Sequence, residues 1–359
     1  MIKTAVHTTS RVEINLAKIA HNVTELVALY GSKGIDLMGV TKTVGGNPRI
    51  ANVFMENGIR MLADSKVENL RKMREDGVVA QFVLLKTPAI SEIEAVIKYA
   101  DISMNSELII LQQLSVCAER NNKVHQIILM IEMGDLREGI MPVDLKDFIT
   151  EVQKLSGVVM IGIGANFACF GGVEPSVENM KYLTELAKTI ELEFALPNLM
   201  VSGGNSANYN WFNETEDIGA VNNLRLGESI YLGREPINRK PIPGLFTDAF
   251  TFVSEVIESK IKPSIPYGKI GQNAFGNHPE FHDYGSMKRI IMACGSQDVL
   301  VPGLTPLLDM EILGSSSDHT IIDARKMDLK VGDEVRFALN YGALLSVMNS
   351  FYVAKKYIN

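Results

Sequence analysis

The stretch VVMIGIGANF (158–167) is apolar almost throughout. On either side lie ITEVQKLS (149–156) and VENMKYLTELAKTI (177–190), where apolar residues recur every three or four positions. A strand covered on both faces reads as a continuous apolar run, and a helix packed on a sheet reads as a single apolar stripe. The segment is therefore one βα unit of a parallel sheet. Seven more runs of the same kind are IDLMGVTKTV (35–44), IRMLAD (59–64), QFVLLKT (81–87), ADISMN (100–105), QIILMIEMG (126–134), LMVSGGNS (199–206) and LRLGESIYLG (224–233). Eight strands with intervening helices predict a (β/α)8 TIM barrel. Polar and glycine-rich residues gather where the runs end, in VTKTVGG, MGDLREG, GANFACFGG and VSGGNSAN. That is the rim where such barrels place their chemistry.

Past NRKPIPG (238–244) the texture changes to short β-type runs, AFTFVSEVIESKI, RIIMACG, VLVPG, HTIIDA and DEVRFAL, separated by Gly, Pro, Asp and Ser. A C-terminal, mainly β domain is expected over 241–359, after a barrel over 1–240. The alternating start of TSRVEINLAKIAHNV assigns the first dozen or so residues to the β domain.

Composition narrows the function. The 359 residues are 46% hydrophobic, enough for a large core, and 35 basic against 42 acidic residues leave a net charge of −7. No Lys/Arg run could neutralise successive phosphates, so nucleic acid and anionic membranes are not expected partners. Cys117, Cys169 and Cys294 lack the paired spacing of a zinc site, and no metal is expected. Such cysteine usage fits a reducing cytoplasm. The opening MIKTAVHTTSRVEINL lacks the pattern of a secretory leader, and no run approaches the ~20 apolar residues of a membrane span.

Lys42, at the end of the first barrel strand in Gly39-Val40-Thr41-Lys42-Thr43, projects an amine into a low-dielectric mouth. Desolvation and nearby cations there favour the neutral, nucleophilic amine, which makes Lys42 the Schiff-base candidate against the alternative of an ordinary rim lysine. Ser202-Gly203-Gly204-Asn205-Ser206 offers close backbone approach and a hydroxyl, the ingredients of a phosphate cup, although an empty glycine-rich turn would read alike. Arg225 and Gly227 lie at the eighth strand, which with the seventh commonly completes a barrel's phosphate site.

These motifs together resemble the alanine racemase family, the fold type III enzymes that use pyridoxal 5′-phosphate, and most of all its branch of alanine and ornithine racemases. The resemblance runs through nearly the whole chain. VEINLAKIAHNV (12–23) is similar to the family's opening segment and GVTKTVGG (39–46) to its cofactor-lysine strand. GDLREGI (134–140) resembles the strand whose arginine lies near the ring hydroxyl, and NNLRLGESIYLG (222–233) the segment whose arginine meets the pyridine nitrogen. The resemblance implies cofactor roles for Lys42, Arg137, Ser206, Arg225 and Gly227. Asn166 stands where the family has a histidine stacked on the ring, and Gly46 where it has a tyrosine near the phosphate. It also implies a homodimer with shared active sites and a small amino acid as substrate.

Arg225 bears on the reaction type. An arginine keeps its proton, so it leaves the pyridine nitrogen unprotonated and weakens the ring as an electron sink. Removing and returning one α-proton is then favoured over decarboxylation. Racemisation needs a second acid on the other face of the substrate, and the family's tyrosine is replaced by Ser296 in Met292-Ala293-Cys294-Gly295-Ser296-Gln297-Asp298. The same segment is similar to the C-x-S-x-D of fold type III decarboxylases, whose cysteine serves the partner's cofactor, and that makes Cys294 the candidate acid. A buried structural cysteine is the competing reading. Tyr341 and Tyr352 lie in a segment similar to one that holds phosphate in the decarboxylases. Asp283 or Asp298 would suit a substrate's terminal amine, or each could be a turn or rim residue. The expected activity is racemisation of ornithine or another basic amino acid. A broad alanine racemase, a basic amino-acid decarboxylase and a non-catalytic cofactor carrier are the alternatives.

Overall fold

The computed structural model describes residues 9–358, so the expected absence of a leader falls partly on residues outside the described ones. The chain divides into two compact units, Ala17–Thr247 and, as the second, the described residues up to Leu16 together with those from Asp248 onward.

The first strand, β1 (Ser10–Asn15), belongs to the second unit. Then come the barrel strands β2 (Asp36–Val40), β3 (Met61–Asp64), β4 (Gln81–Leu84), β5 (Ile102–Asn105), β6 (His125–Ile131), β7 (Val158–Ala165), β8 (Met200–Asn205) and β9 (Asn223–Leu226). Each pairs in parallel with the next, and β2 closes on β9, with Asp36 opposite Asn223 and Gly39 opposite Leu226. Met38, Val40, Ala63, Val83, Ile102, Met104, Ile128 and Met130 fill the interior as one packed cluster. That is the stacked side-chain filling of a (β/α)8 barrel, which is a core and leaves no pore. All eight apolar runs overlap a barrel strand, but two strands stop four or more residues before their run does. The first ends at Val40 and gives way to a 3-10 turn, Lys42–Val44; the eighth ends at Leu226, and Glu228–Leu232 is helical. Apolar content continues across both junctions, so periodicity alone does not mark them.

The second unit is an antiparallel sheet formed by β10 (Phe250–Pro263), β11 (Ser286–Met292), β12 (Leu304–Pro306), β13 (Glu311–Ser315), β14 (Thr320–Asp323) and β15 (Glu334–Leu339). β1 joins it along the first half of β10, and β16 (Ala354–Ile358) adds to β1 in parallel. A register shift between Val256 and Glu258 lets the long β10 leave β15 and pair with β11. Val12, Ile14, Phe252, Val335 and Phe337 are buried in its core. VLVPG, expected as strand, is instead a 3-10 turn at Val301–Gly303, since Pro302 has no N–H for a ladder. Tyr341–Asn349 is a helix capped by Asn340, whose side chain accepts from Ala343 N.

Candidate functional site at the C-terminal end of the barrel

Lys42 opens the turn that follows β2, and its amine has no hydrogen-bond or ion-pair partner among the described residues. The turn is tied down around it. Thr41 Oγ1 donates to Asp64 Oδ2 at 2.7 Å, and the other Asp64 oxygen accepts from Lys66 N at 2.9 Å and Asn69 Nδ2 at 3.0 Å. Asp64 is fully buried, and burial pushes its carboxyl up, opposed by these donors and by the nearby Lys42 cation. The chain leaves through Gly46 at φ 56°, where an added Cβ would lie 2.6 Å from Asn69 Cβ. Only glycine meets both demands.

On β9, the strand that pairs with β2 and sets Arg225 opposite Met38, Arg225 is 5% exposed. Its Nη1 donates to Ser202 O (3.0 Å) and Ser202 Oγ (2.6 Å), and its Nη2 to Ala165 O (2.7 Å) and Asn166 Oδ1 (3.0 Å). The Nε is left without a partner among the described residues. Burial, aided by Arg137, pulls the guanidinium down to about 10, with Cys169 and Glu138 acting the other way, so it stays charged at neutral pH. Asn166 Nδ2 donates to Glu138 Oε1 at 3.1 Å, and Glu138 in turn holds Arg137 through Nε and through Nη2 at 2.7 Å. Burial would lower Arg137, but Glu138, with Cys169 and Asp135, turns the net shift upward. The structure thus links three expected cofactor residues, Arg137, Asn166 and Arg225, through a fourth, Glu138, which sequence reading missed although it adjoins Arg137.

Ser206, just after β8, forms the other end of the site. Its Oγ lies 3.0 Å from Ser229 Oγ and accepts from Gly227 N (3.4 Å) and Ser229 N (3.2 Å). Gly204, at φ 138°, shapes the approach, because a Cβ there would sit 2.1 Å from Asn208 Oδ1, the atom that accepts from Asn205 N. Asp135 ties two rim loops together. It is 2% exposed, and its Oδ1 accepts from Cys169 N and Gly171 N at 3.1 Å each, while Oδ2 accepts from Phe170 N at 3.0 Å. Cys169 itself is exposed, and its sulfur accepts from Asn205 Nδ2 at 3.5 Å.

Cys294 lies in the β unit. It is fully buried, with Thr320 Oγ1 3.7 Å from its sulfur, and burial pushes the thiol up against hydrogen bonds from Ser254, Thr320 and Ser10. Ser296 is exposed, 3.0 Å from Ser315 Oγ. Asp298 accepts from Gly295 N at 2.9 Å, Asp283 accepts from Gly285 N at 2.8 Å, and Tyr352 is exposed. Among the described residues no group of His, Cys, Asp and Glu could hold a metal, and no helix is long and apolar enough to cross a membrane.

The chain is 40% identical to the ornithine racemase of Acetoanaerobium sticklandii over 96% of this chain and 99% of that protein. It is 36% identical to the lysine racemase of Thermotoga maritima over 97% and 98%. Among solved structures, the fold matches the alanine racemase of Bacillus anthracis with bound L-Ala-P, at a TM-score of 0.77 and 17% identity, over 99% of this chain and 96% of the other. It also matches the alanine racemase of Bartonella henselae with covalently bound pyridoxal phosphate, at 0.73 and 18%, over 98% and 99%. Residues 14–235 match the family described as alanine racemase, N-terminal domain, and the chain belongs to that family.

Proposed function

We propose that the chain is a pyridoxal-phosphate-dependent racemase of a basic amino acid, ornithine first, acting in the cytoplasm as a homodimer. The observation that carries the reading is the end-to-end similarity to an ornithine racemase, 40% over 96% of the chain, combined with an unpaired Lys42 amine at the rim. The residues present fit the cofactor. Lys42 Nζ, Arg225 Nε and the buried Thr43 Oγ1 have no hydrogen-bond partner among the described residues, and the Gly227 and Ser229 N–H groups converge with the Ser206 hydroxyl where a phosphate would compete for them. Arg137 and Asn166 complete the set.

Pyridoxal phosphate, when bound, supplies an electron sink that makes the α-proton of an amino acid acidic. Lys42 holds the group and moves that proton on one face. Arg225 would hold the ring as a cation that keeps its proton, which would limit the sink and favour returning the α-proton. Ser206, Ser229 and Gly227 would bind the phosphate. Asp64 and Thr41 fix the turn from which Lys42 reaches.

The opposite-face acid is assigned to the segment 292–298 of the partner's β unit. Cys294 and Ser296 are its two candidates. Burial and a raised thiol weigh against Cys294 exchanging protons in the arrangement described, and exposure favours Ser296. The test is chiral chromatography after incubating the cofactor-loaded protein with L-ornithine, L-lysine and L-alanine separately. Racemic ornithine with little change in alanine supports the proposal; carbon dioxide release without inversion replaces it with decarboxylation.

A further inference from the structure

We infer that Glu138 is a positioning residue of this site, the carboxylate that orients Arg137 directly and Arg225 through Asn166. The inference rests on the cofactor reading above. Both oxygens of Glu138 are engaged: Oε2 by Arg137 Nε, and Oε1 by Arg137 Nη2 at 2.7 Å and by Asn166 Nδ2 at 3.1 Å. A two-pronged carboxylate fixes the plane of a guanidinium as well as its position. The consequence for Asn166 is sharper. Its amide can point either way, and only the orientation with Nδ2 on Glu138 leaves Oδ1 to accept from Arg225 Nη2 at 3.0 Å. Reversed, the amide would turn an oxygen toward a carboxylate and an NH2 toward a guanidinium, and both contacts would repel. The charge on Glu138 therefore selects the Asn166 orientation, and through it one of the four hydrogen bonds that aim Arg225.

The other carboxylates of this loop are committed elsewhere, Glu132 to Gly134 N and Leu136 N. Asp135 already accepts from three backbone N–H groups of the loop 169–171. With Arg137 and Arg225 electrostatically coupled, Glu138 is the anion placed between two cations.

The test compares wild type, Glu138→Gln and Glu138→Asp by titrating pyridoxal phosphate into each cofactor-free protein. Quenching of protein fluorescence gives Kd, the visible absorbance of the bound cofactor is recorded at fixed pH, and cofactor-free melting temperature is the control for folding. Glu138→Gln keeps the shape and removes the charge. It is expected to weaken binding by about 10- to 100-fold, the fold-change for losing a hydrogen bond to a charged group. The bound cofactor's absorbance should also move toward its unprotonated form, since an anion that favours the protonated form is gone. Glu138→Asp keeps the charge and should recover the wild-type spectrum even if its melting temperature falls. Wild-type Kd and spectrum in Glu138→Gln overturn the inference, as does a Glu138→Asp spectrum that matches Glu138→Gln. Failure of pyridoxal phosphate to bind the wild type overturns the cofactor reading itself, and the inference with it.

Discussion

Replacing Asp135 by Ala should loosen the loop 169–171 while leaving the barrel folded. Three backbone N–H groups, those of Cys169, Phe170 and Gly171, donate to its buried carboxylate. Hydrogen bonds to a charged acceptor contribute about 1.5–3 kcal/mol each, but Cys169, Phe170 and Gly171 are exposed residues, so water can satisfy freed N–H groups and about 1 kcal/mol apiece is the better figure. Gly171 N also donates to Asp135 O at 3.0 Å, a backbone bond the variant keeps, so the sum over Cys169 and Phe170 is about 2 kcal/mol, or roughly 30-fold in protection of those two amides from hydrogen exchange through local opening. Asp135→Asn gives an internal control. If its remaining oxygen takes the Oδ1 position, it keeps the bonds from Cys169 and Gly171 and loses only that from Phe170, for a reduction of roughly tenfold or less. Amide exchange followed by mass spectrometry on peptides spanning 166–173 measures both variants. Unchanged protection in Asp135→Ala would refute the reasoning, and so would equal losses in the two variants.

Lys42→Ala should remove the visible absorbance of lysine-bound cofactor and lower racemase activity by at least about 10³-fold, as loss of a covalent catalyst does; a variant that still racemises would eliminate the proposed role. Cys294→Ala should leave the rate nearly unchanged while Ser296→Ala lowers kcat/KM for both isomers by roughly 10²-fold or more, since both proton transfers lie on the path in either direction. His125 gives a pH effect on stability. Burial holds it at about 4, below its ordinary 6.5, so the fold excludes a proton that the unfolded chain takes up. Its contribution is complete above 6.5 and is lost as pH falls from there through about 4, and between pH 7.5 and pH 5 the loss is about 2 kcal/mol. His125→Gln should flatten that part of the melting-temperature profile, and an unchanged slope would show that His125 does not set it.

The barrel was legible because its strands are buried on both faces and therefore spell unbroken apolar runs such as QIILMIEMG. The β unit was less so. Glu311–Ser315 is mostly exposed and contains Gly314, and Ala354–Ile358 carries two lysines, so neither repeats an apolar alternation strong enough to find. Lys42, Ser206 and Arg225 stood out as charged or hydroxyl residues at the ends of apolar runs. Asp64 carries the same signal at the end of IRMLAD, but a lone carboxylate there reads equally as a turn residue. The Arg137–Glu138–Asn166–Arg225 chain could not be read, because it joins two loops and a strand that only the closure of the barrel brings together.

The placement of β1 has a consequence for synthesis on the ribosome. Its partners β10 and β16 are encoded after the entire barrel, so β1 emerges with both edges bare and waits through roughly 235 residues for the first of them. At about 5–20 residues per second that interval is on the order of 10–50 s, during which a strand with buried Val12 and Ile14 has no native sheet to join. The nascent chain is then a folded barrel with a sticky leading segment. Chaperone capture of that segment, or its pairing with another nascent copy, is the step at which expression yield would be decided.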